Sequence, residues 1–154
     1  MIERYIKVIY LVKKIKMSIA YKLLGIPRTF DEFVDKVKRR GDNQVDVVLE
    51  AYDDEGGFGG MFNYHCVVGV QAGKTRLRLN EHTHMRLGHL YHTVIGKAEV
   101  EQASLKEAVE TAEKLKNLGL EATINGEPVD KAREGIMQYD KGITELRQRY
   151  GVSA

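Results

Sequence analysis

The chain has 154 residues, of which 43% are apolar and 30% charged, with a net charge of +2, one cysteine and no tryptophan. This size and balance predict one globular domain with its own hydrophobic core, and they exclude a wholly disordered chain. Because a lone Cys66 cannot form an intramolecular disulfide, we expect a cytoplasmic protein rather than a disulfide-stabilised secreted one.

The charge is unevenly distributed along the chain. Residues 1–40 contain eleven Lys and Arg against four acidic residues, which gives +7 and leaves −5 for residues 41–154. We therefore divide the single domain into a basic N-terminal helical segment, residues 1–40, and an α+β part, residues 41–154. A basic arm of this kind can contact polyanions or membrane surfaces, and the alternative is that it docks on its own acidic body.

Residues 1–25 are apolar and basic together. Apolar side chains at helical spacing, among them Tyr5, Val12 and Leu23, predict an amphipathic helix, and alternation over residues 6–12 leaves a strand as the alternative. No transmembrane segment is predicted, because the uncharged run 8–12 is far shorter than the roughly 20 residues that a bilayer needs. Lysines directly after that run argue against a secretory signal. The apolar surface of this segment predicts a homo-oligomer.

A break at Gly25 and Pro27 precedes a second, short helix. Thr29 is predicted as its N-cap, with Glu32 completing a capping box. The apolar face of this helix consists of Phe30, Phe33, Val34 and Val37. Basic residues at its C-terminal end suit the helix dipole, so they need no ligand to explain them.

From Gln44 onward the hydrophobic period changes to two. The stretches QVDVVLEAYD and MFNYHCVVGVQ alternate as the two strands of a hairpin. The tip between them predicts a flexible loop that contacts a partner, formed by Gly56, Gly57, Phe58, Gly59 and Gly60. A phosphate-binding Walker loop is not predicted there, since no Gly-Lys-Ser/Thr follows.

Two further strands are predicted to complete a meander. A tight turn at Gly73 and Lys74 leads into TRLRLNEHTH, and the next strand runs from about Leu90 to Val100. Because the turns are too short for crossover helices, all four strands are predicted to pair antiparallel. The short segment EATI, followed by an Asn-Gly turn, adds a fifth strand.

Two helices are predicted after the meander. Ser104 is interpreted as an N-cap with Glu107 at the third position, and the last helix begins at Val129 or Asp130. The predicted fold class is therefore α+β. It comprises an antiparallel sheet of four to five strands, C-terminal helices packed on one face, and a basic amphipathic helical segment at the N-terminal end.

Four of the five histidines lie in the stretch NEHTHMRLGHLYHTV, residues 80–94. If a hairpin turns at residues 85–88, His84 faces His89 across the strand pair, and His82 lies on the same side. Three imidazoles so placed suit zinc or a similar transition metal that activates water, which is the chemistry of a small metal-dependent enzyme.

Two alternatives to the metal site remain open. A helix over residues 78–93 would instead group His82, His89 and His92, although the β-branched residues and Gly88 favour a strand. The histidines could also lie on a solvated polar strand face, where hydrophilic residues need no ligand.

A third hypothesis joins this polar face to nucleic acid. On a continuous strand, Arg76 and Arg78 share the face of the two histidines that follow them. From the neighbouring strand, Tyr91 adds a ring that stacks on a base and Lys97 adds a cation that contacts phosphate. However, the chain lacks the RNP aromatic motif, and its pI of about 8.6 is moderate for a nucleic-acid-binding domain.

These patterns predict a non-enzymatic binding or assembly protein that self-associates. Its partner, with nucleic acid as a candidate, would contact the glycine-rich loop and the basic, histidine-rich sheet face. The alternative is the metal-dependent enzyme with His82, His84 and His89 as zinc ligands. Nucleophilic catalysis is not expected, because no Gly-x-Ser-x-Gly elbow occurs and Cys66 falls on the core face of its strand.

Overall fold

The computed structural model describes residues 20–21, 24–54, 62–86 and 90–152. In order, its elements are α1 (Phe30–Arg39), β1 (Gln44–Asp54), β2 (Phe62–Ala72), β3 (Thr75–Arg86), α2 (Leu90–Asn117), β4 (Glu121–Ile124) and α3 (Val129–Tyr150). Most of the predicted first helix, residues 1–19 and 22–23, and the glycine-rich loop, residues 56–60, fall outside the described residues.

The sheet has the strand order β3-β2-β1-β4. β1, β2 and β3 pair antiparallel, as their alternation predicts. β4 instead lies parallel to β1, with Val45 beside Ala122 and Val47 beside Ile124. The sheet is therefore mixed, and the prediction of a purely antiparallel sheet is wrong. The cause is the crossover through α2, because a chain that returns through a long helix can enter the sheet in parallel.

The region predicted as a fourth meander strand, residues 90–100, is helical. α2 begins at Leu90 and continues for 28 residues, a length of about 42 Å. Ser104 therefore lies inside this helix and donates to the Val100 carbonyl at 2.8 Å instead of capping. The β-branched residues near Thr93 suggested a strand, but the strong helix formers that follow and packing on the sheet decide the outcome.

The short helix α1 is confirmed with its predicted cap. Thr29 Oγ1 accepts from the Glu32 N–H at 3.2 Å, which satisfies one of the donors that a helix N-terminus leaves unpaired. Phe33, Val34 and Val37 are buried in the same core as the sheet. Part of the basic segment 1–40 is thus integral to the main core.

One hydrophobic core lies between the sheet and the helices. Alternate strand residues face it, as expected for a sheet buried on one side. Its members from the strands and the two longer helices include Val45, Val47, Val68, Val70, Ala108, Ala112, Leu115, Ile124 and Ala132. Within the described ranges, none of the helices combines the length and the apolar character that a bilayer-spanning segment requires.

The opposite side of the sheet carries no helix of the described chain, and we call it the open face. By strand alternation and register it is formed by Asp46, Val48, Glu50, Tyr52, His65, Val67, Gln71, Arg76, Arg78 and Glu81. The candidate site residues therefore form two groups. One group lies on the open face and the other on the helical side, and the sheet separates them.

Candidate functional site

A β-bulge in β3 decides where its polar residues point. Gly69 of β2 faces Arg78, whereas the preceding Val68 faces Asn80, so Leu79 is one residue extra in β3. Because strand side chains alternate with a period of two, one extra residue moves every later side chain to the other face. The alternation along β3 is therefore not continuous.

The bulge separates the arginines from the histidines. Arg76 and Arg78 lie on the open face, while His82 and His84 pair with Cys66 and Tyr64 and face the helices. The prediction that these four residues share one strand face is wrong, because it assumed unbroken alternation through Leu79.

An aromatic and acidic cluster occupies the open face. The rings of Tyr52 and His65 stack at 4.7 Å between centroids and 10° between planes. The Tyr52 hydroxyl donates to Glu81 Oε1 at 2.8 Å, and His65 Nδ1 lies 2.7 Å from the same oxygen. The bond from Tyr52, assisted by the charge of Arg78, holds the pKa of the Glu81 carboxyl below its ordinary value. Tyr52 remains 45% exposed, so this cluster is accessible.

Both arginines of the open face have acidic partners. Arg76 Nη2 lies 2.5 Å from Glu50 Oε1, and Arg78 binds Glu81. The arginine side chains are 49% and 57% exposed, which makes these ion pairs weak and readily exchanged. The face therefore presents balanced charge rather than a continuous positive surface.

His82 belongs to a polar group on the helical side. Its Nε2 lies 2.5 Å from Glu107 Oε2, and Asn80 Nδ2 donates to the same oxygen at 3.0 Å. A groove of about 600 Å³ adjoins this pair and is lined in part by Phe30 and Leu79. The sequence pattern predicted that Glu107 completes a cap with Ser104. Because α2 begins at Leu90, both residues lie inside the helix and this cap is not formed.

His84 packs against α2. A Cβ built at Gly96 would lie 2.1 Å from His84 Cε1, so only glycine admits the imidazole there. The hairpin on which the zinc prediction rested is not formed, because β3 ends at Arg86 and α2 begins at Leu90. His89 lies outside the described residues, and within them no three His, Cys, Asp or Glu side chains are grouped closely enough to hold a metal.

Lys97 and Tyr91 belong to α2, not to a strand beside β3. Lys97 Nζ lies 4.7 Å above the Tyr64 ring, on the side of the sheet opposite Arg76 and Arg78. The four residues proposed for nucleic-acid contact are therefore not brought together on one strand pair. The glycine-rich loop, residues 56–60, lies outside the described residues and stays a prediction.

A half-buried carboxylate, Glu101, joins two tyrosines on the helical side of the sheet. Glu101 accepts from the Tyr64 hydroxyl at 2.5 Å and from the Tyr139 hydroxyl at 2.8 Å. Burial, reinforced by these bonds, raises the pKa of the Tyr64 phenol and raises the pKa of Tyr139 to about 12. Burial also raises the pKa of the nearby Cys66 thiol, which keeps it protonated and a poor nucleophile. The arrangement is suited to packing and binding rather than to covalent catalysis.

Sequence reasoning missed the Tyr52–His65–Glu81 cluster because its members come from three strands. Alternation along β1 places Tyr52 on the face opposite Val45 and Val47, but only the strand register brings it beside His65 and Glu81. No protein-family model, curated protein or solved structure matches the chain, so its function is argued from this geometry alone.

Proposed function

We propose that this chain is a non-enzymatic binding and assembly protein that self-associates through the open face of its sheet. The observation that carries the proposal is the Tyr52–His65 stack, in which Tyr52 is exposed and Glu81 binds both rings, on a sheet whose described helices lie on the other side. Tyrosine and arginine side chains on a surface that no described helix covers are typical of protein contacts, because they bury large area at low conformational cost.

The dimensions of the open face fit a dimer. Its three long strands have 11, 11 and 12 residues. At about 3.3 Å per residue and about 4.8 Å between strands, they span about 36 Å by about 14 Å, or roughly 500 Å². Two such faces bury about 1,000 Å², which is near the lower limit for a specific interface.

The charges of the open face suit a second copy. It carries two ion pairs, Arg76 with Glu50 and Arg78 with Glu81. Under a two-fold axis each arginine can exchange its partner for the same glutamate of the other copy, which makes the surface self-complementary. Nucleic acid is a weaker candidate partner, because the open face carries three acidic residues, Asp46, Glu50 and Glu81, whose charges repel phosphate.

We place this assembly in the cytoplasm. The single thiol, Cys66, is buried and has no second cysteine to pair with in the chain. A protein that depends on its core and on self-association, and not on disulfides, suits a reducing compartment.

The experiment compares two tyrosines of equal exposure in opposite layers. Tyr52 on the open face is 45% exposed, and Tyr150 at the end of α3 is 43% exposed. We expect sedimentation equilibrium to show self-association of the wild type and of Tyr150→Arg. For Tyr52→Arg we expect the dissociation constant of the open-face contact to be at least about tenfold higher, since a buried charge replaces an aromatic contact. A monomeric wild type, or equal weakening by both substitutions, would contradict the proposal.

Nucleic acid is tested on the same proteins. A fluorescent single-stranded oligonucleotide is titrated against the wild type and against Arg76→Ala with Arg78→Ala. If it binds the wild type with an affinity that falls with salt, and the double variant does not bind it, nucleic acid replaces the second copy as the partner of the open face.

A further inference from the structure

β1 is paired on both sides for only part of its length. On one side β2 follows it from Asp46 to Asp54, whereas on the other side β4 follows it only from Gln44 to Val47. Within the described ranges no strand pairs with the outer side of residues 50–54, which we call the β1 edge. A strand edge of this kind offers backbone donors and acceptors to an added strand.

The side chain of Asn125 extends the pairing of β1 by one residue. Its Oδ1 accepts from the Leu49 N–H at 2.8 Å, and its Nδ2 donates to the Leu49 carbonyl at 3.5 Å. Because backbone groups alternate in direction along a strand, Ala51 directs its N–H and C=O to the same outer side as Leu49. The next position of the ladder is therefore Ala51, and no strand of the described chain occupies it.

A small cavity lies beside the β1 edge. It encloses about 190 Å³, is lined by Leu49, Ala51 and Leu105, and includes the hydroxyl-bearing Tyr64 and Tyr139. This volume is below the range of pockets for drug-sized ligands. It suits one side chain of an added strand, which is how strand-addition sites obtain specificity.

We propose that the β1 edge receives an extended segment of a second copy of this chain, residues 4–14, with one apolar side chain in the cavity. These residues read RYIKVIYLVKK, a sequence rich in β-branched and aromatic residues. Residues 4–14 lie outside the described residues, so their sequence alone supports this step. This contact uses the backbone edge of β1 rather than the side chains of the open face.

Charge complementarity supports this occupant. The β1 edge carries Glu50, which also pairs with Arg76, and Asp53, whereas every charged residue of the segment is basic: Arg4, Lys7, Lys13 and Lys14. Opposite charges on adjacent strands stabilise their pairing, and like charges disfavour two β1 edges meeting each other.

The position of α1 favours a second copy as the donor. α1 packs beside β3, and Arg40 at its end donates to Thr75 of β3 at 2.6 Å. β2 and β3 therefore separate this part of the chain from the β1 edge. Because α1 follows the segment in sequence and lies at the opposite edge of the sheet from the acceptor, a head-to-tail contact between copies can join the two.

The direct test is zero-length cross-linking of the full chain. Protein labelled with ¹⁵N is mixed with unlabelled protein, and a carbodiimide joins lysines to neighbouring carboxylates. We expect mass spectrometry to find Lys7, Lys13 or Lys14 joined to Glu50 or Asp53 in mixed-isotope pairs. Cross-links within single isotopes only would show that the segment docks on its own chain, and absence of these cross-links would overturn the site; both outcomes contradict the proposal.

Two substitutions at one position test the backbone contact. Ala51→Pro removes the outward N–H while leaving the bonds to β2 in place, because proline is tolerated at a strand edge. Ala51→Ser keeps the N–H and is the matched control. We expect the mixed-isotope cross-links to fall by up to about tenfold in the first variant only, as one backbone hydrogen bond is lost. Equal yields in both variants would contradict strand addition.

Two charge-reversing substitutions test the same contact without relying on the folding of Ala51→Pro. Asp53→Lys should reduce the mixed-isotope cross-links to Glu50, whereas Asp35→Lys on α1, at the far side of the sheet, should not. Arg78→Glu changes the open face on β3, away from the β1 edge, and should leave these cross-links unchanged even where it weakens the open-face contact. If the cross-links were also lost in Asp35→Lys, the change in net charge alone would explain the effect of Asp53→Lys, and the proposal would be overturned.

Discussion

At the scale of single residues, the contact between His84 and Gly96 is the tightest constraint between β3 and α2. A Cβ at Gly96 would lie within 2.4 Å of three atoms of the His84 ring. Alanine favours a helix over glycine by roughly 1 kcal/mol, but this gain is smaller than the cost of moving a packed ring and its helix.

We therefore expect Gly96→Ala to lower the free energy of unfolding by roughly 1–3 kcal/mol. Gly142 in α3 is the matched control, because a Cβ there meets no atom within 4 Å. Gly142→Ala should raise the free energy of unfolding by up to about 1 kcal/mol. Urea denaturation measures both, and a shift of the same sign in the two variants would count against this contact.

The Glu101 group predicts a loss of stability in alkali. The phenol of Tyr139 keeps its proton to about pH 12 in the folded chain, against an ordinary pKa of 10.0. Because the unfolded chain releases this proton first, the stabilisation is complete below pH 10 and is lost as the pH rises toward 12. The raised pKa of Tyr64 acts in the same direction.

The measurement is the urea midpoint between about pH 9 and about pH 12. We expect the wild-type midpoint to fall across this range and Tyr139→Phe to show a shallower fall, since it lacks one of the ionising groups. An identical pH dependence in the two proteins would show that Tyr139 ionises as freely in the folded chain as in the unfolded one.

At the scale of elements, two similar sequence patterns have different structural roles. Thr29 caps α1 and accepts from Glu32, whereas Ser104 lies within α2 and donates to a carbonyl of the preceding turn. The local pattern, a hydroxyl followed by a glutamate three residues later, is the same in both. Only the position where the helix starts separates them, and packing on the sheet sets that position.

This difference predicts unequal costs for two alanine substitutions. Thr29→Ala should lower the free energy of unfolding by about 1 kcal/mol, because the Glu32 N–H loses its acceptor. Ser104→Ala should cost less, since the Val100 carbonyl can keep its backbone partner and alanine favours the helix. Urea denaturation of both variants gives the comparison, and a larger loss in Ser104→Ala would speak against the assignment.

Strand prediction succeeded where alternation was continuous and failed where one residue broke it. β1, β2 and the turn into β3 follow the expected pattern. In β3 the extra Leu79 reverses the faces of Asn80, His82 and His84. Sequence alone did not reveal the bulge, because leucine is compatible with either face and the shift exists only relative to β2.

At the scale of the whole molecule, α1 shares the core of the sheet. Val37 is 1% exposed and belongs to the same cluster as Val47 and Val70. We expect one unfolding transition in which far-ultraviolet circular dichroism and tyrosine fluorescence coincide. Val37→Ala should shift both signals together by roughly 2 kcal/mol.

Val94 supplies the control for that substitution. It also lies in a helix but is 41% exposed, so Val94→Ala should change the stability by less than about 0.5 kcal/mol. Two separate transitions, with α1 unfolding before the sheet, would show instead that the basic segment is not part of the cooperative unit.

The sequence by itself determined the local elements: the capped helix α1, the β1–β2 hairpin pattern, the tight turn into β3, the short strand β4 and the last helix. Caps, turns and hydrophobic periods arise from neighbours within a few residues, so they are present in the linear chain. Tertiary structure alone decided that residues 90–100 continue α2, that β4 lies parallel to β1, and that Tyr52, His65 and Glu81 meet on the open face. These features depend on contacts between residues that are distant in sequence, where the register of one strand against another and the packing of a helix on the sheet outweigh local preference.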